Sequence, residues 1–160
     1  MRIRLKQFDN LKLSLGCGKK DEADFLIDVP DLSEFVGLDE RDLGQEIVWK
    51  VGGIPLPDES CLYVWCAHFL EHFDETEILE VMDEIWRVLK KGCLLEIRVP
   101  DQSSPCSIMP YHKQIMHKNY FDIFRDPGLT DYGHKLWTIE KVEMYSTVRG
   151  NDLKIIMKRG

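Results

Sequence analysis

The sequence has no apolar run approaching the roughly 18 residues that a membrane-spanning helix requires, so a membrane-embedded protein is not expected. Its opening residues, Met1-Arg2-Ile3-Arg4-Leu5-Lys6-Gln7, lack the apolar stretch of a signal peptide. The five cysteines show no C-x-x-C spacing, and most lie within apolar stretches. Small core thiols are the expected reading, and with no leader they predict a reducing, cytoplasmic setting. There is no internal repeat and no low-complexity tract. A basic track is also missing. Residues 1–101 carry 12 Lys/Arg against 22 Asp/Glu, and the remainder 9 against 6. An acidic front half argues against a nucleic-acid partner, whose phosphates require the opposite sign.

What remains is a 160-residue chain, 44% apolar and 31% charged. That composition fits a soluble globular protein, and the length suits one domain over residues 1–160 that builds its core without disulfides or metal.

Leu11-Lys12-Leu13-Ser14-Leu15 alternates apolar and polar and ends in Gly16-Cys17-Gly18, which predicts a strand followed by a glycine turn. Asp24 to Val29, stopped by Pro30, predicts a second strand. Residues 31–46 read as irregular, with room for a short helix and with Gly37 and Gly44 as breakers. Ile47-Val48-Trp49 is a third strand, Gly52 to Asp58 a loop, and Cys61 to Ala67 a strand whose continuous apolar character suits burial in a parallel sheet.

Ile78, Met82, Ile85 and Leu89 form one apolar stripe, predicting a helix over 75–91. Asp74 and Glu77 are placed for a capping box, and Gly92 for a left-handed stop. Cys93 to Val99 is a fifth strand closed by Pro100-Asp101. Residues 102–135 are loop-like, with at most a weakly patterned helix around Tyr111 to Phe124. Val142–Thr147 and Leu153–Lys158 predict a hairpin turned at Gly150-Asn151-Asp152. Together these predict an α/β fold with an open, mostly parallel sheet and a C-terminal antiparallel hairpin.

Ligands of such sheets sit beyond the carboxyl ends of the strands. There the sequence places the glycine turn, the carboxylate of Asp28, the segment His68-Phe69-Leu70-Glu71-His72, and Pro100-Asp101. Leu13-Ser14-Leu15-Gly16-Cys17-Gly18 resembles the first motif of the class I S-adenosylmethionine-dependent methyltransferases, in the subgroup that reads L-N-L-G-C-G. Phe25-Leu26-Ile27-Asp28, Ile54-Pro55-Leu56-Pro57-Asp58, Ala67 to His72, and Asp83 to Gly92 are similar to later segments of that subgroup in the same order.

The resemblance implies a Rossmann-like fold, S-adenosylmethionine as cofactor, and methyl transfer to a small-molecule or carbohydrate-like acceptor. It implies that Gly16, Cys17 and Gly18 lie against the methionine part of the cofactor. Asp28 would bind the ribose, Trp49, Lys50 and Val51 would border adenine, and Ala67 and His68 would flank the sulfonium. Glu71 and His72 are the candidate catalytic groups. His112 and His134 fall in the family's acceptor region but read as surface histidines.

Lys50 departs from the family's usual acidic residue, and only Lys19 to Asp24 separate the glycine turn from the expected second strand. A helical crossover needs about a dozen residues, so the first helix is expected to be absent or a single turn. These departures leave open a non-catalytic cofactor-binding module. The lack of a lid leaves room for a second copy or a partner subunit to complete the acceptor pocket. His68 to His72 also fits H-x-x-E-H, a zinc-hydrolase signature. That chemistry needs the motif within a helix, whereas here it directly follows a strand and no distant third ligand stands out, so no metal is expected.

Overall fold

The computed structural model describes residues 9–16, 29–39, 45, 47–49, 52–126 and 135–160. They form one seven-stranded sheet in the order β3-β2-β1-β4-β5-β7-β6. In its interior β1 (Leu11–Leu15) is flanked by β2 (Val36–Asp39) and the central strand β4 (Cys61–Ala67), both parallel to it. β3 (Ile47–Val48) extends the sheet beyond β2. On the other side β5 (Leu89–Pro100) continues the parallel set, β7 (Gly150–Arg159) runs antiparallel to β5, and β6 (Trp137–Thr147) forms the far edge. The chain thus builds outward from β1 to β3, then returns to lay β4 on the opposite flank. The resulting switch point between β1 and β4 is where an open sheet offers a crevice at its carboxyl edge.

The partner of β1 is not the expected segment. Residues 24–28 lie outside the described residues, Val29 and Pro30 have no regular structure, and the strand beside β1 is Val36–Asp39. Gly37 does not break it: Gly37 pairs with Ser14 inside the ladder. The irregular stretch is confined to a 3-10 turn, Leu32–Glu34, capped by the Asp31 carboxylate on the Ser33 N–H at 3.0 Å. Because β2 begins at Val36, residues 16–35 separate the two strands, and the short-crossover constraint disappears.

Helix α1 (Glu75–Val88) forms where its stripe and cap predict, burying Ile78, Val81, Met82, Ile85 and Val88. Asp74 accepts from the N–H groups of Thr76 and Glu77 at 3.0 and 2.9 Å, and Glu77 reaches back to the Asp74 N–H, completing the capping box. The helix stops at Val88 and Leu89 already belongs to β5. Gly92 is therefore not the helix stop. It turns, at φ +75°, within a bulge where Leu89 and Leu94 of β5 oppose Cys61 and Tyr63 of β4.

Arg87 fastens the helix to the loop before β4. Its guanidinium donates to the Ile54 and Leu56 carbonyls at 2.8 Å each, to Asp58 at 2.8 Å, and in a fork to Glu84 at 2.8 and 2.9 Å. Glu84 in turn accepts from the Ile54 N–H at 2.6 Å. A loop that makes no ladder bonds thereby has two of its carbonyls satisfied by one side chain, while Trp49 and Ser60 donate to those of Gly53 and Pro57.

The terminal hairpin forms as expected but turns two residues earlier than the glycine. Thr147 pairs with Gly150 across Val148-Arg149. The helix around Tyr111 to Phe124 is not formed. That region holds only a 3-10 turn at Tyr120–Phe124, with another at Pro105–Ile108 before it, because its apolar residues lack a continuous 3.6-residue stripe. No helix among the described residues is long and apolar enough to cross a membrane.

Candidate functional site

The carboxyl ends of β1, β2 and β4 bring three groups to the switch point. Gly16 follows β1 with φ +62°, the left-handed region that favours glycine. Its N–H donates to the Leu38 carbonyl of β2 at 2.8 Å. A Cβ at this position would lie 2.6 Å from Cδ2 and 2.8 Å from Cβ of Phe69. Next to it, Asp39 ends β2 and is 4% exposed. Ala67 ends β4, opposite Arg98 of β5, and hands over to His68.

Trp49, which directly follows the short β3 segment, is buried. Its indole N–H donates to the Gly53 carbonyl at 3.1 Å, and its ring lies 6.1 Å from that of Phe69. Cys17, Gly18, Asp28, Lys50 and Val51 lie outside the described residues, as does His134.

His68 is a non-glycine residue at φ +50°, and such strain collects at functional sites. Its N–H donates to the Arg98 carbonyl at 2.8 Å. The ring spans two buried carboxylates. Nε2 is 2.7 Å from Asp152 Oδ2 of β7, and Nδ1 is 3.3 Å from Glu71 Oε1. The latter is an ion-pair distance. The Tyr145 hydroxyl also donates to Asp152, at 3.3 Å, and its ring faces the buried guanidinium of Arg98. Burial acts to lower the pKa of His68, but the hydrogen bond to Asp152 and the negative charges of Glu71 and Asp152 outweigh it and raise it to about 9. The ring is therefore an imidazolium at neutral pH.

That shift fixes a pH dependence. A folded-state pKa above the ordinary 6.5 contributes stability that is complete below about 6.5 and lost as pH rises through about 9. The melting temperature of the wild type is expected to exceed that of Asp152→Asn by a margin that shrinks between pH 6.5 and 9.5. A constant margin across that window would show that His68 is not held charged by Asp152.

Beyond His68 the chain makes a 3-10 turn, Leu70–His72. His68 and His72 consequently do not share a helix face, and the zinc-hydrolase geometry is not made. Instead Glu71 and His72 meet a residue from the loop after β5, His112. Glu71 is 1% exposed, and its Oε1 is 4.0 Å from His112 Nε2. The Glu71 backbone carbonyl accepts from the N–H groups of Lys113 and Gln114 at 2.8 and 3.2 Å, which fixes that loop against the turn. The ring of His72 stacks on Tyr111 and meets His112 edge-on, with centroids 4.8 Å apart in the second pair. Contrary to the surface reading, the His112 side chain is 7% exposed. Burial is the main cause that lowers its pKa, so it is neutral at pH 7.

Sequence reasoning missed Asp39, Asp152 and the placement of His112. Asp39 had a signal, an apolar Val36-Gly37-Leu38 run ending in a carboxylate, obscured by reading Gly37 as a breaker. Asp152 was read as turn chemistry, and its contact with His68 is long-range.

Known proteins agree with this architecture. Residues 13–97 match the model of a family described as a methyltransferase domain. No curated protein sequence matches the chain. Among solved structures, an S-adenosylmethionine-dependent methyltransferase from Archaeoglobus fulgidus shares 19% identity, with 94% of this chain and 86% of that chain covered and a TM-score of 0.62. One from Thermotoga maritima shares 14%, covering 95% and 83%, with a TM-score of 0.65. The cyclase SpnF shares 13%, covering 99% and 77%, with a TM-score of 0.60. These likenesses establish the Rossmann-like fold, and the cyclase illustrates that this fold hosts more than one chemistry. With more than half of its length matched to the family model, the chain belongs to the methyltransferase domain family.

Proposed function

We propose that the chain transfers a methyl group from S-adenosylmethionine to a small-molecule or carbohydrate-like acceptor. The observation that carries this reading is the convergence of Gly16, Asp39 and Ala67-His68 at the carboxyl edge of β1, β2 and β4, in a chain of this family. The residues fit an adenosyl group: a buried strand-end carboxylate beside a left-handed glycine is a suitable acceptor for two neighbouring ribose hydroxyls.

When bound, the cofactor supplies an electrophilic methyl group on a sulfonium sulfur. Asp39 takes the ribose, the role that the family resemblance implies for Asp28. Gly16 lets the backbone close on the cofactor, and Ala67 and His68 border the methyl. Alignment of the acceptor then carries much of the catalysis. On the acceptor side Glu71 and His72 are the groups able to hold a proton released by a hydroxyl or amine. A cleft of about 540 Å³ between the first turn of α1 and the Tyr120–Phe124 turn, lined by Glu75, Thr76, Gln114, His117 and Tyr120, is of a size for a small ligand.

Calorimetry should show one S-adenosylmethionine or S-adenosylhomocysteine site per chain. Incubation with hydroxyl-bearing acceptors should release S-adenosylhomocysteine. No heat and no thermal shift at millimolar ligand would defeat the cofactor reading. Binding without product from any acceptor would favour the non-catalytic module.

A further inference from the structure

We infer that Glu71, His72 and His112 form a binding site for one divalent transition-metal ion. One ligand atom from each of the three lies within 4.8 Å of the other two. The independent observation is Glu71 itself. It is 1% exposed, yet among the described residues neither carboxylate oxygen has a hydrogen-bond partner. Buried polar atoms in folded proteins are nearly always satisfied, and a buried carboxylate is the group least able to go without. The imidazole of His68 makes an ion-pair contact with Oε1 at 3.3 Å, and among the described residues Oε2 has no hydrogen-bond partner. A cation placed between Glu71 and the two histidines satisfies the carboxylate.

The surroundings suit coordination. The Nδ1 of His72 lies 3.2 Å from the Tyr111 carbonyl, and donating there fixes the tautomer and leaves Nε2 as the ligand atom. That backbone support is characteristic of metal-binding histidines. His112 turns its Nε2 toward Glu71. Stacking of His72 on Tyr111 and the edge-on contacts of His112 with both restrict the two imidazole rings. Donors around a tetrahedral ion stand about 3.3 Å apart, given bonds of roughly 2.0–2.1 Å. Small side-chain rotations close the remaining gap. Two imidazoles and one carboxylate favour zinc, cobalt, iron or nickel over calcium or magnesium, which prefer all-oxygen shells.

Three protein ligands leave a position open, and open positions distinguish catalytic from structural ions. If the methyl-transfer reading holds, that position receives an oxygen or nitrogen of the acceptor. The ion would thereby orient the acceptor beside Ala67 and His68 as well as ease its loss of a proton. The site itself does not depend on that reading. Local sequence patterns do not reveal the third ligand, His112, because it lies in a loop 40 residues beyond His72. The site also differs from the H-x-x-E-H pattern, since His68 is turned to Asp152 instead of the ion.

The test uses the full chain, stripped with a chelator and titrated with cobalt(II) and, separately, zinc(II). One ion per chain is expected, with micromolar or tighter affinity and visible cobalt absorption bands of a four- or five-coordinate site. Glu71→Gln and His112→Ala should each weaken binding by at least about a hundred-fold, or roughly 2.7 kcal/mol. The exposed control His117→Ala should leave it unchanged. Melting curves of each metal-free variant establish that it is folded, and either variant alone suffices if the other is not. Absence of binding at 0.1 mM cobalt, or binding undiminished in the folded variants, as surface thiols would give, overturns the inference. S-adenosylmethionine affinity measured on the same stripped protein keeps the two readings separate: cofactor binding without metal binding sinks only this one.

Discussion

Gly16→Ala is expected to be among the most damaging single substitutions in the chain, costing roughly 2–5 kcal/mol. Two independent terms add. A side chain in the left-handed region costs about 1–2 kcal/mol, and the φ of +62° offers no alternative while the Gly16 N–H remains bonded to Leu38. Overlap in a packed interior costs about 1–3 kcal/mol more. The added methyl would meet the Phe69 ring and its Cβ at 2.6–2.8 Å. Phe69 cannot retreat freely, because Phe73 lies at 4.8 Å and Trp49 at 6.1 Å. In a chain of this length 1 kcal/mol corresponds to about 2–4 °C in Tm, so a fall of roughly 4–20 °C is expected by calorimetric melting. A change under 2 °C would mean that the turn after β1 relaxes without cost, and Gly16 would then matter only for contact with the cofactor.

Asp39→Asn is expected to weaken S-adenosylmethionine binding roughly ten- to a hundred-fold. Charge-assisted hydrogen bonds to a carboxylate contribute about 1.5–3 kcal/mol, and about 1.4 kcal/mol is a factor of ten in affinity. The amide keeps the shape of the side chain, so packing around this buried strand end is preserved. Only one of its two terminal atoms can still accept. Asp28→Asn is the informative companion, since the motif resemblance assigns the ribose to Asp28 while the sheet sets Asp39 beside β1. Titration of both variants with the same ligand decides between them. A larger loss for Asp28→Asn, or a destabilised Asp39→Asn with unchanged affinity, would return the role to Asp28 and leave Asp39 a structural group.

The contrast between those two carboxylates shows how far the sequence could be read. β1, β4 and α1 were legible because each carries its own signal: alternation, a continuous apolar run, and a capping box. β2 was not. Its four residues include a glycine and follow an acidic stretch, whereas Phe25-Leu26-Ile27 looks more strand-like in isolation. A short central strand gains its stability from two neighbours, and that context is invisible to local propensity. The candidate site divides the same way. Gly16, Ala67 and His68 fall at strand ends that could be read locally. The pairing of His68 with Asp152 and of Glu71 with His112 depends on where β7 and the loop after β5 return in space.

The two edges of the sheet have a consequence for how this protein behaves at high concentration. An exposed strand edge is a template for another chain, and long, flat, apolar edges invite stacking. One end of this sheet is β3, only two residues long, which offers almost no ladder to extend. The other end is β6, eleven residues long and mostly exposed, with Val142 and Met144 open to solvent. That strand is guarded by charge: Lys141 pairs with Glu143 at 2.7 Å, and Glu140 with Lys158 at 3.1 Å. An incoming strand would have to desolvate these groups before gaining a single backbone bond, so the longer edge among the described residues resists a stray strand by charge, where the shorter one resists it by length.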